Sequence, residues 1–204
     1  VLMAVHKPVV DSGTPFIGTN AGPSPAAGRA CSPWFFSTAY QNDQNHEVLG
    51  KHAQDTGYKK VVLIAPNYQA GKDALAGFKR HYQGEVADEI YTPLGQLDFS
   101  AELAKARAAK PDAIFNVTFA ADLSNFVRQG NTRGLFEGRT VVSMLTGEPE
   151  YLDPLGAEAP VGWIEDERMF RVERPLHFFL GPDESFSDDL HAALRGDDLA
   201  GLSS

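Results

Sequence analysis

The chain has 204 residues, 43% of them hydrophobic and 22% charged, which allows one large domain or two small ones with a sizeable core. Its formal net charge of -9 disfavours a nucleic-acid or anionic-membrane partner. The single cysteine, Cys31, excludes an internal disulfide and a multi-cysteine zinc site, and no run reaches the roughly 18 apolar residues of a membrane helix, so no direct membrane insertion is expected.

The opening VLMAVHKPVV has apolar residues at 1, 2, 5 and 9, as at the end of a helix, and Asp11 to Gly13 stop it. It lacks the flanks of a secretory signal and an initiating Met, as expected of a chain that begins inside a larger protein. Pro15 to Gly18 reads as a short strand. Thr19 to Ala30, rich in Gly and Pro, reads as a loop with backbone N–H groups free to face a ligand. Gly22 and Gly28 have the wrong spacing for a P-loop. Pro33 to Tyr40 is aromatic and extended, and Asp43 is placed to cap a helix through Val48, Leu49, His52 and Ala53 that stops at Gly57.

Lys59 to Phe78 organises the rest. Val61 to Ala65 is an unbroken apolar run of strand length, as in a strand covered on both faces of a parallel sheet. Leu75, Phe78 and Tyr82 then recur at helical spacing over 71–83. Val86 to Tyr91 reads as a strand, Ser100 as the cap of a helix with Leu103, Ala104 and Ala108 inward, and Ala113 to Phe119 as a strand. A helix from about Ala121 to Gln129, a strand over Thr140 to Leu145, a turn or short helix over Pro149 to Gly156 and a strand opening at Val161 to Ile164 complete the pattern. This alternation predicts an α/β, doubly wound fold: a parallel sheet with helices on both faces, binding ligands at the carboxyl ends of its strands.

Tyr68 follows such an end. It either stacks on a ligand and donates one hydrogen bond or lies half-buried on the helix below it. Tyr68 and Lys72 form Y-x-x-x-K, an acid/base pair in short-chain dehydrogenases; an α/β oxidoreductase using that pair is the alternative reading, but the glycine-rich dinucleotide turn it requires is missing. A ligand-sensing domain of a regulator is a further alternative that shares the fold, without a visible DNA-binding or signalling segment. No catalytic residue, cofactor or metal site is expected: the six histidines form no HxxxH or HExxH pair, and no Gly-x-Ser-x-Gly elbow occurs. His46 and His52 read as residues of a solvated helix, and Cys31 as a small loop or core residue. Glu148 and Glu150 either neutralise a ligand ammonium or stand in a solvated loop. The glycosylation pattern Asn116-Val117-Thr118 falls in an expected buried strand and is discounted.

TNAGPSPAAG, CSPWFFSTAYQNDQ, APNYQAGKDALAGFKRHYQGEV and IYTPLGQLDFSAELAKARAAKPDAIF, in that order, resemble the type I periplasmic binding proteins. The narrower resemblance is to the leucine/isoleucine/valine-binding-like receptors of ABC importers, including relatives that take aromatic acids or amides. It runs from Val1 to about Ile164. It implies two α/β lobes closing on a ligand: 1–33 as a partial first lobe, 34–41 as an interlobe crossing and 42–164 as the second lobe. The implied function is the non-enzymatic substrate-binding component of an importer for branched-chain amino acids or related small carboxylates or amides. It would be periplasmic and partnered by an ABC transporter permease. The implied ligand contacts are Asn20, Ala21 and Gly22 for a carboxylate with Ser24 nearby, then Tyr68, and Phe119 or Ala120. The acid that binds an α-ammonium in the family falls near Thr146, with Glu148 two positions on; a threonine there counts against a zwitterionic ligand.

The resemblance stops after Gly162-Trp163-Ile164. Glu165 to Ser204 carries ten acidic and four basic residues, with no lysine and weak periodicity. It reads as a poorly ordered tail or as a segment foreign to the preceding fold, as a frameshift would produce.

Overall fold

A computed structural model of the chain describes residues 2–144, 146, 149–160 and 162–165; the reading of the tail therefore lies outside the described residues. In chain order the elements are α1 (Leu2–Asp11), β1 (Phe16–Gly18), α2 (Ser24–Ala27), β2 (Phe35–Ser37), α3 (Gln44–Thr56), β3 (Lys60–Pro66) and α4 (Gln69–His81). There follow β4 (Glu85–Thr92), α5 (Ser100–Ala108), β5 (Ala113–Asn116), α6 (Ala120–Thr132), β6 (Thr140–Ser143), α7 (Pro149–Leu155), a 3-10 turn over Gly156–Glu158, and β7 (Ile164–Glu165).

Five of the strands form one sheet in the order β4-β3-β5-β6-β7, every neighbouring pair parallel. The continuous apolar run of β3 divides between two cores because successive side chains leave opposite faces. Val61, Leu63 and Ala65 meet Leu49 of α3 and Ala74, Leu75 and Phe78 of α4. Val62 and Ile64 meet Leu103 of α5 and Leu123 and Phe126 of α6. Phe78 stacks on Phe115 of β5, ring centroids 4.5 Å apart at 27°, so α4 is fixed to the centre of the sheet by an aromatic pair. The chain is thus α/β with a doubly wound parallel sheet.

α3 and α4 approach through glycine. A methyl on Gly50 would lie 2.0 Å from the Phe78 carbonyl oxygen, and one on Gly77 2.4 Å from that of Asp43. A second, two-stranded parallel sheet pairs β1 with β2, Ile17 opposite Phe36. One face packs Phe16 and Phe35 around the buried His6 of α1, while Ile17 and Phe36 are exposed on the strands.

Local details differ from the sequence reading for identifiable reasons. The 19–30 loop contains the single turn α2. Asp43 occupies the N-cap position of α3 but makes no side-chain cap bond; it pairs instead with Arg80 of α4 at 2.7 Å. Ser100 is the first helical residue rather than the cap, and Asp98 Oδ1 accepts its backbone N–H at 2.9 Å. β5 ends at Asn116, three residues short of Phe119, because Asn116 Oδ1 turns back to accept the Thr118 N–H at 3.3 Å and its hydroxyl at 3.0 Å.

Candidate functional site

β3 and β5 lie side by side, and shortly after each an aromatic residue stands at the N-cap position of the next helix: Tyr68 before α4 and Phe119 before α6. Both have extended backbone at the N-cap position and make no side-chain cap bond. Their rings meet edge to face, centroids 6.2 Å apart at 63°. Around them is a cleft of about 470 Å³, lined also by Leu2 and Met3 of α1 and by Asn20 and Ala21. Among the described residues no Asp, Glu, Lys or Arg lines it.

Of the residues singled out from sequence, Asn20, Ala21, Tyr68 and Phe119 line this cleft. Gly22 is not among the lining residues. It is packed against the chain at Tyr40, where an added methyl would lie 1.8 Å from the Tyr40 carbonyl oxygen, and its own carbonyl accepts the Asn42 N–H at 2.7 Å. Ser24 gives its backbone N–H to Asp73 rather than facing the cleft. Ala120, held at φ +52°, lines a separate groove between α6 and α7 with Arg128 and Tyr151. Thr146 is fully buried away from the cleft wall, and Glu148 lies outside the described residues.

Behind the wall stands a hub that sequence reading did not find. Asp73, 7% exposed, accepts three hydrogen bonds: from Ser24 N at 3.0 Å, Asn42 Nδ2 at 3.2 Å and Gln69 Nε2 at 2.7 Å. It ties the 19–24 loop, the entry to α3 and the first turn of α4 into one support. Asn42 passes this on, because its carbonyl faces His46 Nδ1 at 2.5 Å.

His46 itself is a correction. It was expected on a solvated surface, but it is 3% exposed, lines the cleft and sets its ring edge-on to Phe115 at 5.7 Å. The reason is position: His46, Leu49, Gly50 and Ala53 are the buried stripe of α3, at helical spacing. That periodicity was the available signal. Burial lowers its pKa to about 4, against smaller opposing effects of the Asn42 carbonyl, Asp43 and Asp73, so the ring is neutral at pH 7.

The geometry does not assemble an acid/base pair. Burial raises the pKa of the Tyr68 hydroxyl, the opposite of what a phenolate base needs, and Lys72 is exposed and does not line the cleft. Among the described residues there is no cluster of three or more metal-ligating side chains. No helix among them is long and apolar enough to cross a membrane.

Residues 1–164 match the family described as periplasmic binding protein. The Leu/Ile/Val-binding protein homolog 6 of Brucella abortus (strain 2308) is 28% identical over 116 residues, 55% of this chain and 29% of its own length. Among solved structures, an ABC-transporter solute-binding protein of R. palustris, in complex with benzoate, shares 25% identity at a TM-score of 0.71 over 78% of this chain and 44% of its own. Another, from Rhodopseudomonas palustris BisB5 in complex with 3,4-dihydroxy benzoic acid, shares 34% identity at a TM-score of 0.61 over 70% of this chain and 40% of its own. An ABC transporter substrate-binding protein from Sphaerobacter thermophilus, 24% identical, matches the fold over 96% of this chain and 53% of its own at a TM-score of 0.68. The chain thus spans less than half the length of these curated and benzoate-type relatives.

Proposed function

The chain belongs to the periplasmic binding protein family, and from that premise we propose that it is the substrate-binding part of an ABC importer that takes a small aromatic carboxylate. The observation that carries the reading is a cleft lined by both the Tyr68–Phe119 pair and the Asn20–Ala21 loop, with no charged side chain among its described lining residues. The paired rings offer an apolar seat for a flat ligand, and the polar groups of the Asn20–Ala21 loop offer donors to its carboxylate. An α-amino acid needs a partner for its ammonium. No carboxylate is among the described residues that line the cleft, and Asp73, which holds the loop at Ser24, is already taken by three donors. The R. palustris relatives bound to benzoate and to 3,4-dihydroxy benzoic acid support the same class.

In this reading 1–33 is part of one lobe, 34–41 a crossing and 42–164 the other lobe. Ligand contacts from both sides favour the closed arrangement, which a permease then recognises. The location is the periplasm, and no step of chemistry is performed on the ligand.

Thermal unfolding of the 204-residue chain, alone and with benzoate, 4-hydroxybenzoate, leucine or isobutyramide, tests this. A ligand bound only by the folded state at about 100 times its Kd adds about 2.7 kcal/mol and raises the midpoint. A rise with the aromatic acids and none with leucine is expected. A cooperative transition that only leucine shifts refutes the ligand class, and one that nothing shifts refutes the site.

A further inference from the structure

His46 poses a question that the aromatic seat does not answer. Its Nδ1 faces the Asn42 carbonyl at 2.5 Å. A carbonyl only accepts, so Nδ1 carries the proton and Nε2 is left with a lone pair. That Nε2 is buried and has no hydrogen-bond partner. Buried acceptors are normally paired, and an orphan is unfavourable. This one belongs to a side chain that is 3% exposed and lines the cleft. Its ring cannot turn freely to find another donor: Asn42 holds one end, Phe115 fixes the ring plane, and Asn42 is itself held by Asp73. The result is a held, neutral acceptor in a wall whose other polar groups are amides and the hydroxyls of Tyr40 and Tyr68.

We propose that the Nε2 lone pair of His46 is the acceptor that selects ligands carrying a hydroxyl or N–H donor over those that lack one. This deepens the reading of the cleft as an aromatic-carboxylate site and rests on it. A ligand with a donor in reach satisfies Nε2, whereas an unsubstituted ring leaves it orphaned; sites built around a hydrogen bond discriminate in this way.

Calorimetric titration of the full chain with benzoate and with its 2-, 3- and 4-hydroxy derivatives provides the test. One hydroxy isomer should bind about tenfold or more tighter than benzoate, the scale of one hydrogen bond. His46→Leu should bring that ratio to about one. His46→Gln, whose Oε1 takes the place of Nε2, should restore part of the ratio. Because a ratio of affinities is measured on the same preparation, partial unfolding of a variant does not move it. An unchanged hydroxyl preference in His46→Leu overturns the assignment of His46 and leaves the cleft reading standing. Equal affinities for all four acids in the wild-type chain do the same. Failure of every acid to bind overturns the cleft reading, and the role of His46 with it.

Discussion

Replacing Asp73 by alanine is expected to destabilise the chain by about 3 kcal/mol. The carboxylate accepts three hydrogen bonds at 2.7 to 3.2 Å in a site that is 7% exposed. Ser24 N–H belongs to the backbone and has no rotamer to escape by, so its loss carries a desolvation penalty of about 1–3 kcal/mol. Asn42 and Gln69 donate from side-chain amides that are able to turn toward water, and each loss is worth about 0.5–1.5 kcal/mol. Together these give roughly 2–6 kcal/mol, less the relief of no longer burying a charge. With a urea m-value near 2 kcal/mol/M, the unfolding midpoint should fall by about 1.5 M. Asp73→Asn should lose only about 1 kcal/mol: its oxygen still serves Ser24 and Asn42, and Gln69 flips to accept from the new amide. Hydrogen exchange gives the local readout. The Ser24 amide should lose protection in Asp73→Ala at denaturant levels where the β3 amides keep theirs. An alanine variant within about 1 kcal/mol of wild type, or equal losses for Ala and Asn, refutes the hub.

The buried His46 predicts an acid limb. Its pKa is lowered from 6.5 to about 4 by burial, so between those values the unfolded chain binds a proton that the folded chain refuses, and stability falls as pH falls. Above 6.5 both states are neutral and the residue is silent. The full loss by pH 4 is about 3 kcal/mol, and the difference between wild type and His46→Leu in urea unfolding from pH 7.5 to 4 isolates it from the carboxylates. Parallel pH curves would contradict it. Gly22→Ala places a methyl 1.8 Å from a backbone oxygen and should cost about 1–3 kcal/mol. Gly28→Ala, whose methyl would sit 3.6 Å from the Ser24 oxygen, should stay within about 0.5 kcal/mol. Thermal scans of the two variants check this, and similar midpoints would refute the close approach at Gly22.

The sheet was legible because β3 is a seven-residue strand whose apolar run has no helical alternative of useful length, and because β4, β5 and β6 are each followed by a helix. Tyr68 was legible for the same reason: it stands where a strand ends. What escaped depends on residues distant in sequence. Asp73 acquires its role from Ser24, 49 positions away, and nothing local marks it as more than a helix-start residue. Asp43 has cap chemistry, but Arg80 arrives from α4 and takes its carboxylate. His46 sits between Asn45 and Glu47, and polar neighbours hide a buried stripe unless the i, i+3, i+4, i+7 spacing is weighed against them. Strand lengths were overestimated at β5 because the Asn116 side chain competes with the sheet for the Thr118 N–H.

The order β4-β3-β5-β6-β7 also bears on how the chain is made. β4 is laid on one side of β3; β5, β6 and β7 are then added one after another to the other side, in the order in which the chain carries them. After β3, each described strand of this sheet finds its partner earlier in the chain, and the helix that links it to the next covers the sheet as it passes. Parallel pairing is slow to form because each crossover must close before any contact rewards it. Among the described strands of this sheet, only β3 waits for its partners; β5, β6 and β7 are then added one at a time to a single advancing edge, which spreads that delay over successive steps.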